Sequence, residues 1–485
     1  MSGQQIYQSY NGYMRLEDEN GNPISTADMQ QNIENVALSA VYDLIPANGR
    51  TFTSSGGSVA ATNREFVCST GTTVFGYGTL QSFRAIQYRP GSQASIRFAA
   101  RFPDSVASSW VGVGAFTIGD ECSFGYNGTA FGVWHRYGGK PDVHVIQITT
   151  PAAGNETVTL TLNGVAYSIP VTTGTVQFNA DQIAEWLTAN VTAWYASQND
   201  DTVEISATSD GAKAGTYSLS STGATAATIT QTTAGVTKTS EHVPQADWNG
   251  STPPSFDPTL GNNYQIKYAN GYGPILYYVM NSAGSYTLVH SVQWPSASDV
   301  PNFLNPSMHI GAYAASIGST TDISVYCGQI AAWIDDARDR TRNPRAESNT
   351  KGIATTLTNL LTIRNRRNYN GLTNQSEIAP LSITIANDGA KSAVFEVRSN
   401  ATIGGVTNFQ DIGTNLISEK DTAGTTVTGG TLLGSYAVAK GQSQVLDISN
   451  LGIRVPPTLR LTVCAKMASG SAADLSTAIV WYEDI

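Results

Sequence analysis

At 485 residues the chain exceeds what one hydrophobic core organises, and its 41% apolar content excludes wholesale disorder, so roughly two to four domains are expected. Charged residues make up only 13%, about half the usual share, and Gly, Thr, Ser, Ala and Asn stand in their place. The net charge of −10 excludes long-range attraction of the whole chain to nucleic acid or anionic membranes, and no run of about 18 apolar residues predicts a membrane-spanning helix.

Residues 1–40 read as a polar entry or anchor segment. No basic stretch leads into an apolar one, so no signal peptide is predicted. Asn20-Gly21-Asn22-Pro23 signals a turn, and a short helix is expected over Thr26–Leu38. Residues 41–145 carry strand patterns. Ile96, Phe98, Ala100 and Phe102 alternate with Ser95, Arg97, Ala99 and Arg101, the period of a half-buried strand. Glycine-rich strands are expected over Trp110–Ile118 and Ser123–His135.

Residues 146–240 read as a separate ββαββ module. Val158, Leu160 and Leu162 alternate up to Asn163-Gly164, and Val165, Tyr167, Ile169 and Val171 alternate away from it. Asn-Gly between such runs predicts a type I′ hairpin. Ile183, Trp186, Leu187, Val191 and Trp194 form one helical stripe, with Asn179 and Gln182 spaced as a capping box. Strands at Val203–Ala207 and Thr216–Leu219, then one near Ile229, complete the module.

Residues 241–334 resume the earlier pattern, so the module is expected to interrupt one β-sandwich. Ile275–Met280 is apolar on both faces, which predicts a central strand. Tyr286, Leu288, His290 and Val292 read as one face of the next. Residues 335–350 carry mixed charge around Pro344 and read as a linker. Residues 351–485 repeat strands at Leu381–Ile385, Ala393–Val397, Leu459–Ala465 and Ala478–Tyr482, a second antiparallel sandwich. Leu357–Ile363 fits helix or strand, with strand preferred. The fold class expected is mainly β: two antiparallel sandwiches, the first of concanavalin A or jelly-roll type, with a small ββαββ insertion.

Residue patterns that carry chemistry are few. Cys68, Cys122, Cys327 and Cys464 lie far apart and read as buried side chains, with no zinc or redox motif. No pair of the five histidines has ligand spacing, so neither metal nor cofactor is expected. Asp120-Glu121 is the most suggestive carboxylate pair. A retaining sandwich glycosidase needs two carboxylates about 5–5.5 Å apart on one face, whereas adjacent strand residues point to opposite faces. A non-enzymatic protein is expected.

Tyr88-Arg89-Pro90-Gly91, Phe124-Gly125-Tyr126-Asn127-Gly128-Thr129-Ala130-Phe131-Gly132, His135-Arg136-Tyr137-Gly138-Gly139 and Asn263-Tyr264-Gln265-Ile266 resemble segments of tailed-phage and large-virus virion structural proteins built on concanavalin A/laminin G-type sandwiches. The module resembles an α+β unit repeated in phage structural proteins, through its Leu-Asn-Gly-Val hairpin, the helix near Trp194-Tyr195 and Gly215-Thr216-Tyr217-Ser218-Leu219. Ile363-Arg364-Asn365-Arg366, Tyr369-Asn370-Gly371 and Trp481-Tyr482-Glu483-Asp484-Ile485 resemble the same group, and the similarity spans most of residues 75–485.

The resemblance implies a virion location, other virion proteins as partners, and a homo-oligomer, a trimer among the options. A tail fibre, spike or adaptor-type appendage that contacts host surface glycans is the first reading. A capsid decoration or vertex protein without a receptor role is the second, and a sandwich-fold carbohydrate-active enzyme the third. Nucleic-acid binding and membrane insertion are not expected. Sandwiches of this type bind sugars on exposed aromatics, which makes Trp110, Tyr126, Trp134, Tyr137 and Tyr272 the candidate carbohydrate-binding residues, against ordinary core packing for each. Arg338, Arg340, Arg342 and Arg345, with Arg364, Arg366 and Arg367, are the candidate assembly or docking residues, against solvated linker and inter-domain ion pairs.

Overall fold

A computed structural model describes residues 36–41, 43–45, 48–89, 91–294, 296–335 and 344–483, together with the backbone of short strands Ile6–Gln8, Met14–Glu17 and Pro23–Ile24. The fold is mainly β, and every strand pairing is antiparallel among the described residues. The chain divides into two compact units: residues 1–138 with 238–340, and residues 139–237 with 341–485.

The first unit is a sandwich of two sheets. The seven-stranded sheet runs Thr239–Pro244, Ala130–Tyr137, Glu121–Asn127, Ser109–Phe116, His309–Ser316, Tyr77–Ala85 and Gly49–Ser54. The eight-stranded sheet runs Tyr286–Val292, Ile275–Met280, Asn262–Tyr268, Gln93–Arg101, Ser324–Asp335, Glu65–Ser69 and Ser58–Thr62, with Val36–Ser39 also paired to Ser324–Asp335. The expected helix over Thr26–Leu38 therefore ends differently: Val36–Ser39 is a strand, and residues 26–35 lie outside the described residues. The alternation of Ile96, Phe98 and Ala100 holds, and these side chains meet Phe124, Phe131, Tyr264 and Tyr277 in one aromatic core. Such a core makes burial the main stabilising term here.

The strand Ile275–Met280 is second from the sheet edge rather than central. Its inward residues Ile275, Tyr277 and Val279 are buried, and Leu276, Tyr278 and Met280 form a half-covered outer face. In the neighbouring strand a bulge breaks the expected alternation. Tyr277 pairs with His290 but Tyr278 pairs with Leu288, so Val289 drops into the core while Leu288 is exposed. Tyr286 and Leu288 thus face outward with Met280 and Tyr278, away from the core face that His290 shares with Tyr277.

In the second unit, the inserted module holds two sheets and one helix. Trp194–Asn199, Thr202–Asp210, Pro141–Thr150 and Ala226–Thr233 form one sheet; Val165–Val171, Glu156–Leu162 and Ser218–Ser221 form the other. The module is larger than ββαββ because residues 141–145, placed by their sequence in the first sandwich, belong to the strand Pro141–Thr150 that pairs inside it. The Asn163-Gly164 hairpin is as expected, both residues taking positive φ (50° and 81°). The helix spans Val176–Asn190 and is capped by Thr175, whose Oγ1 accepts from the Phe178 N–H. Asn179 is not its cap: it sits inside the first turn, accepting from Ala152 N–H and donating to Thr172 O. Trp194 begins the next strand rather than extending the helical stripe.

The C-terminal sandwich packs a four-stranded sheet (Pro344–Ile353, Ala473–Glu483, Ile378–Asn387, Gln442–Asp447) on a six-stranded one that includes Thr358–Asn365, Arg460–Met467 and Ala393–Ser399. Residues 344–350, read from charge and Pro344 as linker, form part of an edge strand paired along its length with Ala473–Glu483. A proline is tolerated there because it opens the strand.

The module docks on this C-terminal sandwich. Asp200 N–H donates to Phe409 O, Asn368 Nδ2 to Glu204 Oε1 at 3.0 Å, and Asn199 Nδ2 to Asp411 Oδ1 at 2.6 Å. All four cysteines are free and buried, and burial pushes the Cys68 thiol up to about 12 against the opposing backbone hydrogen bond at Leu80.

Candidate functional site: the outer faces of the first sandwich

The five candidate aromatics do not come together. Tyr126 belongs to the core, edge-on to Phe131, and is 6% exposed. Trp134, 2% exposed, lies on the outer face of the seven-stranded sheet but is covered by His242, 4.5 Å away, and by the Arg136 guanidinium, 4.0 Å above its ring. Neither can stack on a sugar. Tyr137 is half-buried against His135 and Trp294. Trp110 and Tyr272 remain exposed, on separate elements: Trp110 sits edge-on to Trp134, and Tyr272 donates to Asp299 O.

The network that consumes Trp134 also consumes Glu121. Its carboxylate accepts from Ser123 Oγ at 2.5 Å, Tyr313 Oη at 2.7 Å and Arg136 Nη1 at 2.8 Å. The sheet beneath is kept bare so that these groups can lie flat: a Cβ on Gly112 would stand 2.6 Å from the Tyr313 ring. Asp120 serves a different purpose. It precedes the strand and accepts the N–H groups of Gly138, Leu304 and Asn305, tying three loops together. Burial pushes its carboxyl above the ordinary range, and those N–H groups oppose the rise. The two carboxylates are thus bound into separate networks.

A better-formed site lies on the outer face of the eight-stranded sheet. Strand register places Ala331, Arg97, Gln265 and Tyr278 in one row across four strands, with Gln329, Ala99, Asn263 and Met280 beside it. A groove of about 510 Å³ opens over these rows, floored by Ala37 and Ala331 and walled by Tyr286, Met280 and Trp333. The Arg97 guanidinium lies between two rings, 4.9 Å from Tyr286 and 5.0 Å from Trp333. Its Nε donates to Gln265 Oε1 at 3.1 Å, and among the described residues its Nη atoms meet no carboxylate. Trp333 is held from behind: its Nε1 donates to Asp335 Oδ1 at 2.7 Å, and Asp335 also takes Ser95 Oγ and Lys267 Nζ. Burial pushes the Tyr286 hydroxyl up, against the pull of Arg97. The result is a fixed aromatic clamp with free amide and guanidinium donors.

Sequence reading missed this site because Tyr286 was placed in phase with His290, and only the bulge turns it outward. The signal that was present is the two-faced apolar strand Ile275–Met280, whose second face is only half-covered by the described residues.

The candidate docking arginines divide three ways. Arg338, Arg340 and Arg342 lie outside the described residues. Arg345 is exposed on the edge strand. Arg364, Arg366 and Arg367 are engaged between the module and the C-terminal sandwich. Arg364 donates twice to Glu419 Oε2 and once to Gln198 O while stacking on Phe409 at 3.7 Å. Arg366 pairs with Asp411, and Arg367 stacks on Tyr195 at 3.8 Å, where burial lowers its pKa. Arg364 and Arg367 thereby tie the module to the sandwich, whereas the pair of Arg366 with Asp411 lies within the sandwich. No group of three His, Cys, Asp or Glu side chains among the described residues could hold a metal ion, and no described helix is long and apolar enough to cross a membrane.

No family model matches the chain, and no curated protein matches it significantly. Solved structures that superpose include a protein of unknown function from Shewanella oneidensis MR-1 (11% identity, 63% of this chain and 89% of that one, TM-score 0.26). The tandem CBM22 domains of Paenibacillus barcinonensis Xyn10C align over 92% and 96% at 9% identity and a TM-score of 0.19. The T13 particle of infectious bursal disease virus aligns over 80% and 68% at 10% identity and a TM-score of 0.16. Superpositions this loose carry no argument about function.

Proposed function

We propose that this chain is a non-enzymatic structural protein of a virus particle, an oligomeric appendage that contacts host-surface glycans through its first sandwich. The observation that carries the glycan contact is the Tyr286–Arg97–Trp333 clamp over a groove floored by alanine. Aromatic rings held rigidly beside free polar donors are what a pyranose needs, since its C–H face stacks and its hydroxyls accept hydrogen bonds. The virion setting is supported by the sequence resemblance and by the hydroxyl- and amide-rich surface. The non-enzymatic reading is supported by the separate engagement of Asp120 and Glu121.

Binding of the purified chain to host-surface polysaccharide, lost in Trp333→Ala and in Tyr286→Ala but kept in Trp110→Ala, is the expected result. Binding indifferent to Trp333 would overturn the site. Absence of glycan binding, with the chain imaged on the particle, would leave a decoration protein.

A further inference from the structure

We infer that the groove on the eight-stranded sheet selects a carboxylated sugar, a uronate or sialate residue, over a neutral one. This rests on the glycan reading above and adds the charge of the ligand.

Among the described residues the groove contains one cation and no acid. Among them Arg97 is its only charged lining residue, beside the polar Asn263, Gln329 and Ser39. Asp335, behind Trp333, is engaged by Trp333, Ser95 and Lys267. An arginine that served only the fold would be expected to find a partner on this sheet, as Arg101 does. That side chain lies 3.6 Å over Tyr326 and binds both oxygens of Glu65, at 2.9 to 3.3 Å. Arg97 has the same ring support without the acid.

The orientation of Arg97 is fixed on three sides. The two rings hold the guanidinium plane, and Gln265, itself buried, takes Nε. What is left is an Nη edge, the planar two-donor fork that matches a carboxylate. Because the side chain is already immobilised, little rotamer entropy remains to be lost when a ligand engages it. The net charge of −10 opposes an anionic ligand at long range, so the preference for a carboxylated sugar comes from the local contact with Arg97. The ring of such a sugar would stack on Trp333 or Tyr286, with its hydroxyls near Asn263 and Gln329.

The test titrates the full chain with matched pairs: 3′-sialyllactose against lactose, and trigalacturonate against its carboxyl-reduced trisaccharide. The acidic member of at least one pair is expected to bind tenfold or more tightly, with the advantage shrinking as salt rises. Arg97→Gln should bring the pair to near equality while weak neutral binding persists; Arg97→Lys should keep part of the preference. Trp333→Ala should weaken binding of both members about ten- to thirtyfold. Unaltered thermal melting checks that each variant is folded. Equal affinity for both members, or an acid preference that survives Arg97→Gln, overturns this inference and leaves the glycan reading standing. No binding of any sugar by the wild-type chain overturns both.

Discussion

Arginine sits in opposite surroundings in the two units. In the first sandwich Arg97 rests on two rings at the surface with its Nη edge open. In the second unit Arg364 is set between module and sandwich and tied to the buried Glu419, with Arg366 beside it paired to the exposed Asp411. The second set is clustered in the sequence and the first is a lone residue in a strand, yet the lone one is available to a ligand. Ring stacking holds a guanidinium without neutralising it, whereas a buried carboxylate uses up both its charge and its donors.

The sharpest way to break this contrast is to remove one of the buried ties. Arg364→Met leaves the buried Glu419 carboxylate with only Arg366, 3.9 Å away, and Gln198 O without its donor, a loss of about 3 kcal/mol. Denaturant unfolding, with hydrogen exchange read on Trp194–Asn199 and Thr358–Asn365, should show the second unit opening first. The double variant Arg364→Met with Glu419→Met should recover much of the loss, because removing both charges abolishes the desolvation cost. A neutral outcome for Arg364→Met alone would mean the tie contributes nothing to docking.

Next in size is Trp333→Ala. The indole is half-buried and on the outer face, so truncation should cost the fold only about 1 kcal/mol while removing most sugar affinity, ten- to thirtyfold, by the stacking argument. A large stability loss with unchanged affinity would show that the ring serves the sheet rather than a ligand.

The sandwiches were legible because burial in a half-covered strand repeats every second residue. Ile96, Phe98 and Ala100 announced their face, and Asn163-Gly164 announced its hairpin through a backbone requirement. The groove was not legible, because it depends on one extra residue in Tyr286–Val292 that reverses which side chains face out. The docking of the module was hidden for a different reason. Its contacts join Gln198, Glu204 and Asp181 to residues about two hundred positions later, and no local pattern records a pairing across that distance. The arginine cluster around 364–367 was visible, but charge density does not say whether the partner is solvent, another protein or a glutamate of the same chain.

A subtler effect belongs to Asp181, on the module helix. Burial pushes its carboxyl up to about 6, while hydrogen bonds from Thr407 of the C-terminal sandwich hold it back. A carboxyl raised on folding stabilises the protonated folded form. The contribution is fully present below the unfolded value of about 3.9 and is lost as pH rises through 6. Relative to Asp181→Asn, the wild-type chain should therefore lose about 1–3 kcal/mol between pH 4 and pH 8. Parallel stability curves for the two proteins over that range would show that Asp181 is not desolvated at the interface.

The smallest expected effect isolates the first half of the contrast. Arg97→Gln removes a charge that no carboxylate in the described protein answers, so it leaves no buried partner stranded. What the fold loses is one hydrogen bond to Gln265 and two cation–π contacts at a solvent-facing site, and an amide can replace the hydrogen bond. The cost should stay within about 1 kcal/mol, far below that of Arg364→Met. Equal losses for the two variants would mean that Arg97 is as much a structural tie as Arg364, and that its open edge is no sign of a ligand.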